Sequence, residues 1–84
     1  MKMLGPNFEA LRYRRVNLAV TAIERGARLM RISGREMHDR LQAQGLIRNR
    51  LFARYEDLHT QSADWVAEDA VETLKNWEAA SHAR

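Results

Sequence analysis

No cysteine occurs among the 84 residues, so neither a disulfide nor a thiolate metal site can form. That composition fits a reducing, cytoplasmic setting. Proline occurs once and glycine four times, too little punctuation for a fold of many short strands. Ala, Leu, Arg and Glu are common instead, and the propensities predict helix over sheet. No apolar run approaches the ~20 residues that cross a membrane. The opening "MKMLGPNFEALRYRR" has no uninterrupted apolar core and does not read as a signal peptide. Chemistry-bearing motifs are missing as well. There is no G-x-S-x-G, P-loop, G-x-G-x-x-G or HExxH. His38, His59 and His82 are too far apart for two imidazoles to share a helical face at i, i+4. Neighbouring acids, Glu56-Asp57 and Glu68-Asp69, point about 100° apart on a helix and read as solvated faces. The expectation is a non-enzyme with no metal and no cofactor. A chain this short makes one domain that buries roughly 60–65% of its unfolded surface.

Charge is present and unevenly placed. Residues 1–54 hold twelve Lys/Arg against four Asp/Glu, a net of +8. Residues 55–84 hold two against seven, a net of −5. Twelve of the fourteen bases are Arg, whose planar fork suits carboxylate or phosphate. Either the basic half meets an external anion, or the halves neutralise each other within or between chains.

Periodicity predicts a compact bundle of four to five helices. Residues 1–6 form a flexible arm ending at Gly5-Pro6, and Asn7 caps a helix over 7–31. On a wheel, Val16, Ala19, Val20, Ile23, Ala27 and Met30 share one face, the signature of a buried stripe. Arg14, Asn17, Thr21, Glu24, Arg25, Arg28 and Arg31 take the opposite arc. Leu11, Leu18, Ala22 and Leu29 form a second, narrower strip, read as more core or as a partner surface. In "ISGREM", Ser33 and Glu36 make a capping box, with Ile32 and Met37 as a hydrophobic staple. A helix over 33–44 then ends at Gly45, a C′ residue with positive φ. A third helix over 46–57 places Ile47, Leu51, Tyr55 and Leu58 inward. The last, over 62–80, is expected as a short turn at 62–67 and a main helix from Asp69, with one continuous helix as the alternative. Thr60, Ser62 or Asp69 could cap it. Trp65, Val66, Ala70, Val71, Leu74 and Trp77 form its apolar side.

Three surfaces compete for function. Arg14, Arg25 and Arg28, with Leu18 and Leu29 beside them, form a partner-binding face on the first helix. Helices two and three, joined at Gly45, have the outline of a helix-turn-helix. That would put Arg48, Asn49 and Arg50 near base edges and Arg54 on a phosphate. Any helical hairpin with a glycine turn shares this outline, and the acidic last third would repel DNA. The third possibility is self-association, the basic half of one copy on the acidic half of another. His59-Thr60-Gln61 also reads as local structure, with His59 donating to a carbonyl at the end of helix three.

"ISGREMHDRLQAQGL" followed by "YEDLHTQSADWVAEDAVETL" resembles a bacterial family of small helical proteins, domain of unknown function thirty-seven ninety-one. The likeness spans about residues 17 to 78. It rests on Ile32, Ser33, Gly34 and Glu36, on Tyr55, Leu58, His59 and Thr60, and on Trp65 and Asp69. Ser62 and Trp65 depart from the glycine and tyrosine usual there. The resemblance implies an interaction partner, such as an antitoxin or accessory subunit encoded beside an ADP-ribosyltransferase-like toxin. It supplies no catalytic residues. The spacing within the likeness suggests that His59 and Thr60, with Asp69, tie helix three to the last helix.

Overall fold

The computed structural model describes residues 6–82. The fold is all-α: α1 spans Pro6–Met30, α2 Gly34–Ala43, a π-helix Ile47–Phe52, α3 Tyr55–Leu58 and α4 Ala63–His82. Of the arm expected over residues 1–6, residues 1–5 lie outside the described residues and Pro6 belongs to α1. Helix is already present at Pro6, so Asn7 lies inside α1 rather than capping it. A proline suits the first helical position, where its missing N–H costs nothing.

The turns follow local chemistry. α1 ends with Arg31 at φ 58°. The Ile32 amide donates to the Ala27 carbonyl at 3.0 Å and the Arg31 amide to Arg28 at 3.2 Å, the paired bonds of a Schellman cap. Ser33 starts α2 by accepting from the Glu36 amide at 3.0 Å. The Glu36 carboxylate instead lies 3.7 Å from Arg40, so one half of the capping box is made. Ile32 and Met37 meet in one apolar cluster, as the staple requires. Gly45 takes φ +71° after α2.

The expected helix over 46–57 is divided. The Ala53 amide donates to the Arg48 carbonyl at 3.2 Å, an i→i−5 bond that widens the turn. Leu46 and Leu51 are both buried. At ~100° per residue they would diverge on an α-helix; the wider turn lets both reach the core. Tyr55 and Leu58 then complete the buried set from α3, while Ile47 is only partly buried.

α4 is one continuous helix, so the alternative to a two-part helix is the observed one. Its buried face is Val66, Ala67, Ala70 and Leu74. Trp65 and Trp77 are about half exposed, at 43% and 52%. Small residues on α1 (Ala19, Ala22 and Gly26) allow close approach. A Cβ on Gly26 would sit 2.8 Å from Met37 Cε and 3.5 Å from Val71 Cγ2, so α1, α2 and α4 converge there. One cluster joins Ala19, Ala22, Leu51, Leu58, Val66 and Ala70. A second joins Ala27, Met37, Leu41, Leu46 and Leu74.

The predicted stripe on α1 is therefore only half core. Ala19 and Ala27 are buried and Ile23 and Met30 partly so, but Val16 and Val20 are exposed. In the second strip Ala22 is fully buried and Leu29 is 55% exposed; the Leu11 side chain lies outside the described residues. The cause is length. α2 has 10 residues against 25 in α1, or about 15 Å against about 37 Å at 1.5 Å per residue. It cannot cover the whole stripe.

Basic and acidic halves meet inside the chain. Arg25 reaches Asp64 at 2.8 Å, Arg50 reaches Asp69 at 2.8 Å, and Arg40 grips Glu78 through both ends of its fork. The hydrogen bond from Arg40 is the main reason the Glu78 carboxyl is held below its ordinary pKa; desolvation opposes it and the charges of Arg40 and His82 assist. A depressed folded pKa means stability that is present above the unfolded value and lost as pH falls through the folded one. The advantage of the native chain over Glu78→Gln in urea melts is expected to be full at neutral pH. It should shrink below about pH 4, the range of an unperturbed Glu. A constant difference from neutral pH to pH 3 would refute this assignment.

No helix among the described residues is long and apolar enough to cross a membrane.

Candidate functional site

The Leu58–Ser62 junction is built by short-range bonds. His59 Nδ1 lies 2.9 Å from the Tyr55 carbonyl. A carbonyl only accepts, so Nδ1 carries the proton in this contact. The imidazole stacks on Tyr55, with centroids 4.8 Å apart and planes at 11°. Thr60 Oγ1 donates to the Asp57 carbonyl at 3.2 Å. Ser62 Oγ accepts from the Trp65 amide at 3.0 Å, so Ser62 caps α4.

These contacts correct the expected tie between helix three and the last helix. His59 and Thr60 both bond back into α3. Asp69 lies within α4 and receives both Nε and Nη2 of Arg50, at 3.0 and 2.8 Å. The cap is Ser62, about two turns earlier than Asp69, and it is serine rather than threonine. Ser62→Ala is expected to cost about 1 kcal/mol. Thr60→Ala should stay within about 0.5 kcal/mol, since its bond is exposed and local. Paired thermal melts decide between them; the reverse order would return the cap to Thr60.

His59 and Gln61 also face a cleft. It has a volume of about 290 Å³ and is lined by Arg14, Asn17, Leu18 and Thr21 of α1 with Tyr55, His59, Gln61, Ala63 and Val66. Apolar Leu18 and Val66 sit among a guanidinium, two amides, two hydroxyl-bearing side chains and an imidazole. Such a surface suits a peptide segment that offers carboxylate or carbonyl acceptors and a small apolar side chain. Asn17 and Thr21 belong to the polar arc of α1 in the wheel, but nothing local links that arc to Gln61.

Arg25, Arg28 and Leu29 line a second cleft of about 290 Å³ with Asp64, Ala67 and Glu68 of α4. The five residues expected to face a partner thus divide between two clefts, the first formed by α1, α3, the α3–α4 junction and the start of α4, the second by α1 and the first turns of α4. Arg25 is already engaged by Asp64, in a pair whose side chains are 46% and 80% exposed. Surface pairs of this kind contribute little and are readily exchanged.

The four residues of the helix-turn-helix reading do not form a row. Arg48 is exposed and lines a third cleft of about 410 Å³ with Gln42, Gly45, Ile47 and Phe52. Asn49 lies beside Gly45. Arg50 is turned onto Asp69, and Arg54 lies 3.6 Å from Asp57. The element carrying Arg48–Arg50 is a six-residue π-helix rather than a long α-helix that could enter a groove.

Among the described residues no group of three or more His, Cys, Asp or Glu is placed to hold a metal. His38 Nδ1 pairs locally with Asp39 at 3.1 Å.

A family model described as "Protein of unknown function (DUF3791)" matches residues 17–77. No curated protein and no solved structure matches the chain. The matched span covers α2, the π-helix, α3, the α3–α4 junction and most of α4. Since it takes in more than half of the sequence, the chain belongs to this family.

Proposed function

We propose that this member of the family is a non-catalytic protein–protein interaction module of antitoxin or accessory type. Its partner would be another protein, of the ADP-ribosyltransferase-like toxin kind. The mechanism is occlusion: the α1–α4 face covers a working cleft of the partner. One observation carries the reading. Arg14, Leu18, Arg25, Arg28 and Leu29 flank two clefts on the seam between α1 and α4. Cations beside small apolar patches are the surface that steered association uses. The reading places the protein in the cytoplasm, with no cofactor.

The test is affinity capture of the tagged chain from its native cell, with and without nuclease, followed by mass spectrometry. One protein recovered in stoichiometric amount in both samples, and lost with Arg28→Glu plus Leu29→Glu, supports the module and names the partner. Both positions are exposed, so the variant should melt like the parent. Recovery of nucleic acid, with every co-purifying protein lost after nuclease, would overturn the reading.

A further inference from the structure

The third cleft takes no part in the α1–α4 face, and its chemistry differs from that of the other two. It opens where α2 gives way to the π-helix, between Gln42, Gly45, Ile47, Arg48 and Phe52. Gly45 turns the chain at φ +71° and brings no side chain to the opening. Its volume of about 410 Å³ falls within the range of small-ligand pockets, whereas the clefts of about 290 Å³ fall just under it. Ile47 and Phe52, both half-buried, give it apolar walls, and the exposed Gln42 and Arg48 supply the polar atoms.

Arg48 stands apart from the arginines around it. Arg35 has Asp39 at 3.6 Å, Arg50 has Asp69 at 2.8 Å and Arg54 has Asp57 at 3.6 Å, while Arg40 grips Glu78. Arg48 has no carboxylate partner among the described residues, and no acid lines the cleft. The acids nearest in sequence to its walls are Asp39, before Gln42, and Glu56, after Phe52. Asp39 is already engaged by Arg35 and by His38 at 3.1 Å, and Glu56 is exposed on α3. The cleft thus pairs one uncommitted guanidinium with two apolar side chains and one amide.

That set selects a ligand. A single carboxylate can take both ends of the guanidinium fork. An aromatic body covers Ile47 and gains edge or stacking contacts with the Phe52 ring and the guanidinium plane. A phosphate ester would leave charge and oxygens uncompensated against apolar walls, and a neutral ligand would gain nothing ionic from Arg48. We propose that this cleft binds a small aromatic carboxylic acid, at a site separate from the α1–α4 clefts. Ile47 packs against both apolar clusters of the core, so the occupant seats on a residue that joins them. Only the folded chain carries the cleft, and occupancy raises the melting temperature by mass action.

The experiment is an NMR titration of the full labelled chain with phenylacetate. Phenylacetamide removes the charge, acetate removes the ring, and benzyl phosphate replaces the carboxylate. Phenylacetate should move Gln42, Gly45, Ile47, Arg48 and Phe52 most, with a Kd below about 10 mM, as ordinary ligand efficiency requires of a single-ring acid. It should bind at least about tenfold more tightly than each control. Arg48→Ala should weaken it by at least about tenfold, and Gln42→Ala by less. Phenylacetate should raise the melting temperature of the parent and leave that of Arg48→Ala unmoved. Leu29→Glu, in the second cleft, should bind it like the parent, which keeps this result independent of the partner reading. Equal binding of phenylacetamide, tighter binding of benzyl phosphate, unchanged affinity in Arg48→Ala, shifts centred on Arg14 or Arg28, or no saturation would each overturn the proposal.

Discussion

Leu74→Ala is expected to lower the unfolding free energy by about 3 kcal/mol, the middle of the range for a leucine removed from a core that cannot collapse around the gap. Leu74 is 0% exposed and sits where four elements meet. Its cluster includes Ala27 of α1, Met37 and Leu41 of α2, and Leu46 ahead of the π-helix. None of these can follow the lost side chain without dragging its own helix. For 84 residues the total stability should be about 4–13 kcal/mol, so the variant loses a large share of it. Urea denaturation by circular dichroism measures this, with an unchanged slope showing that the same surface unfolds. Trp77→Ala is the informative control. It removes a larger side chain three residues away on the same helix, but one that is 52% exposed, and should cost less than about 1.5 kcal/mol. If Leu74→Ala cost under 1 kcal/mol, the convergence of α1, α2 and α4 would be wrong.

What the sequence made legible depended on how far apart the interacting residues are. Ser33 and Glu36 share one turn, so their bond could be read from spacing, and so could the positive φ of Gly45. Helix existence followed from period, since Met37 and Leu41, or Ala70 and Leu74, need only their own helix to align them. The exposure of Val16 and Val20 was not legible. A wheel says that they share a face with Ile23 and Ala27, but not that α2 ends before reaching them. Asp69 shows the same limit from the polar side. Followed three residues on by Glu72, it has the local form of a cap, yet its partner is Arg50, 19 residues earlier. Nor does any single residue announce the widened turn after Leu46. It follows from five-residue spacing between two leucines that both need burial. His59 and Gln61 were legible as a polar cluster, but the cleft they help to line needs Asn17 and Thr21 from α1, which only the tertiary packing supplies.

The Arg50–Asp69 pair should prove structural, and a double-mutant cycle measures it. Two hydrogen bonds join the groups, at 3.0 and 2.8 Å, with side chains 29% and 16% exposed. Such a pair lies between a surface bridge worth little and a buried one whose disruption costs 3–5 kcal/mol. Asp69→Ala or Arg50→Ala should each cost about 2 kcal/mol, mostly by leaving the other charge partly desolvated. The double variant should cost less than the sum, with a coupling of about 1–2 kcal/mol. Arg48→Ala, two residues away and exposed, should fall within about 0.5 kcal/mol of the parent. This contrast bears directly on function. If Arg48 and Arg50 read bases together, both substitutions would leave the fold intact and weaken nucleic-acid binding with a reduced salt slope. If Arg50 instead clamps the π-helix onto α4, its loss acts on the melting curve and Arg48 does not follow. Near-zero coupling in the cycle would free Arg50 from the fold and restore the groove-reading surface as the better account of the basic half.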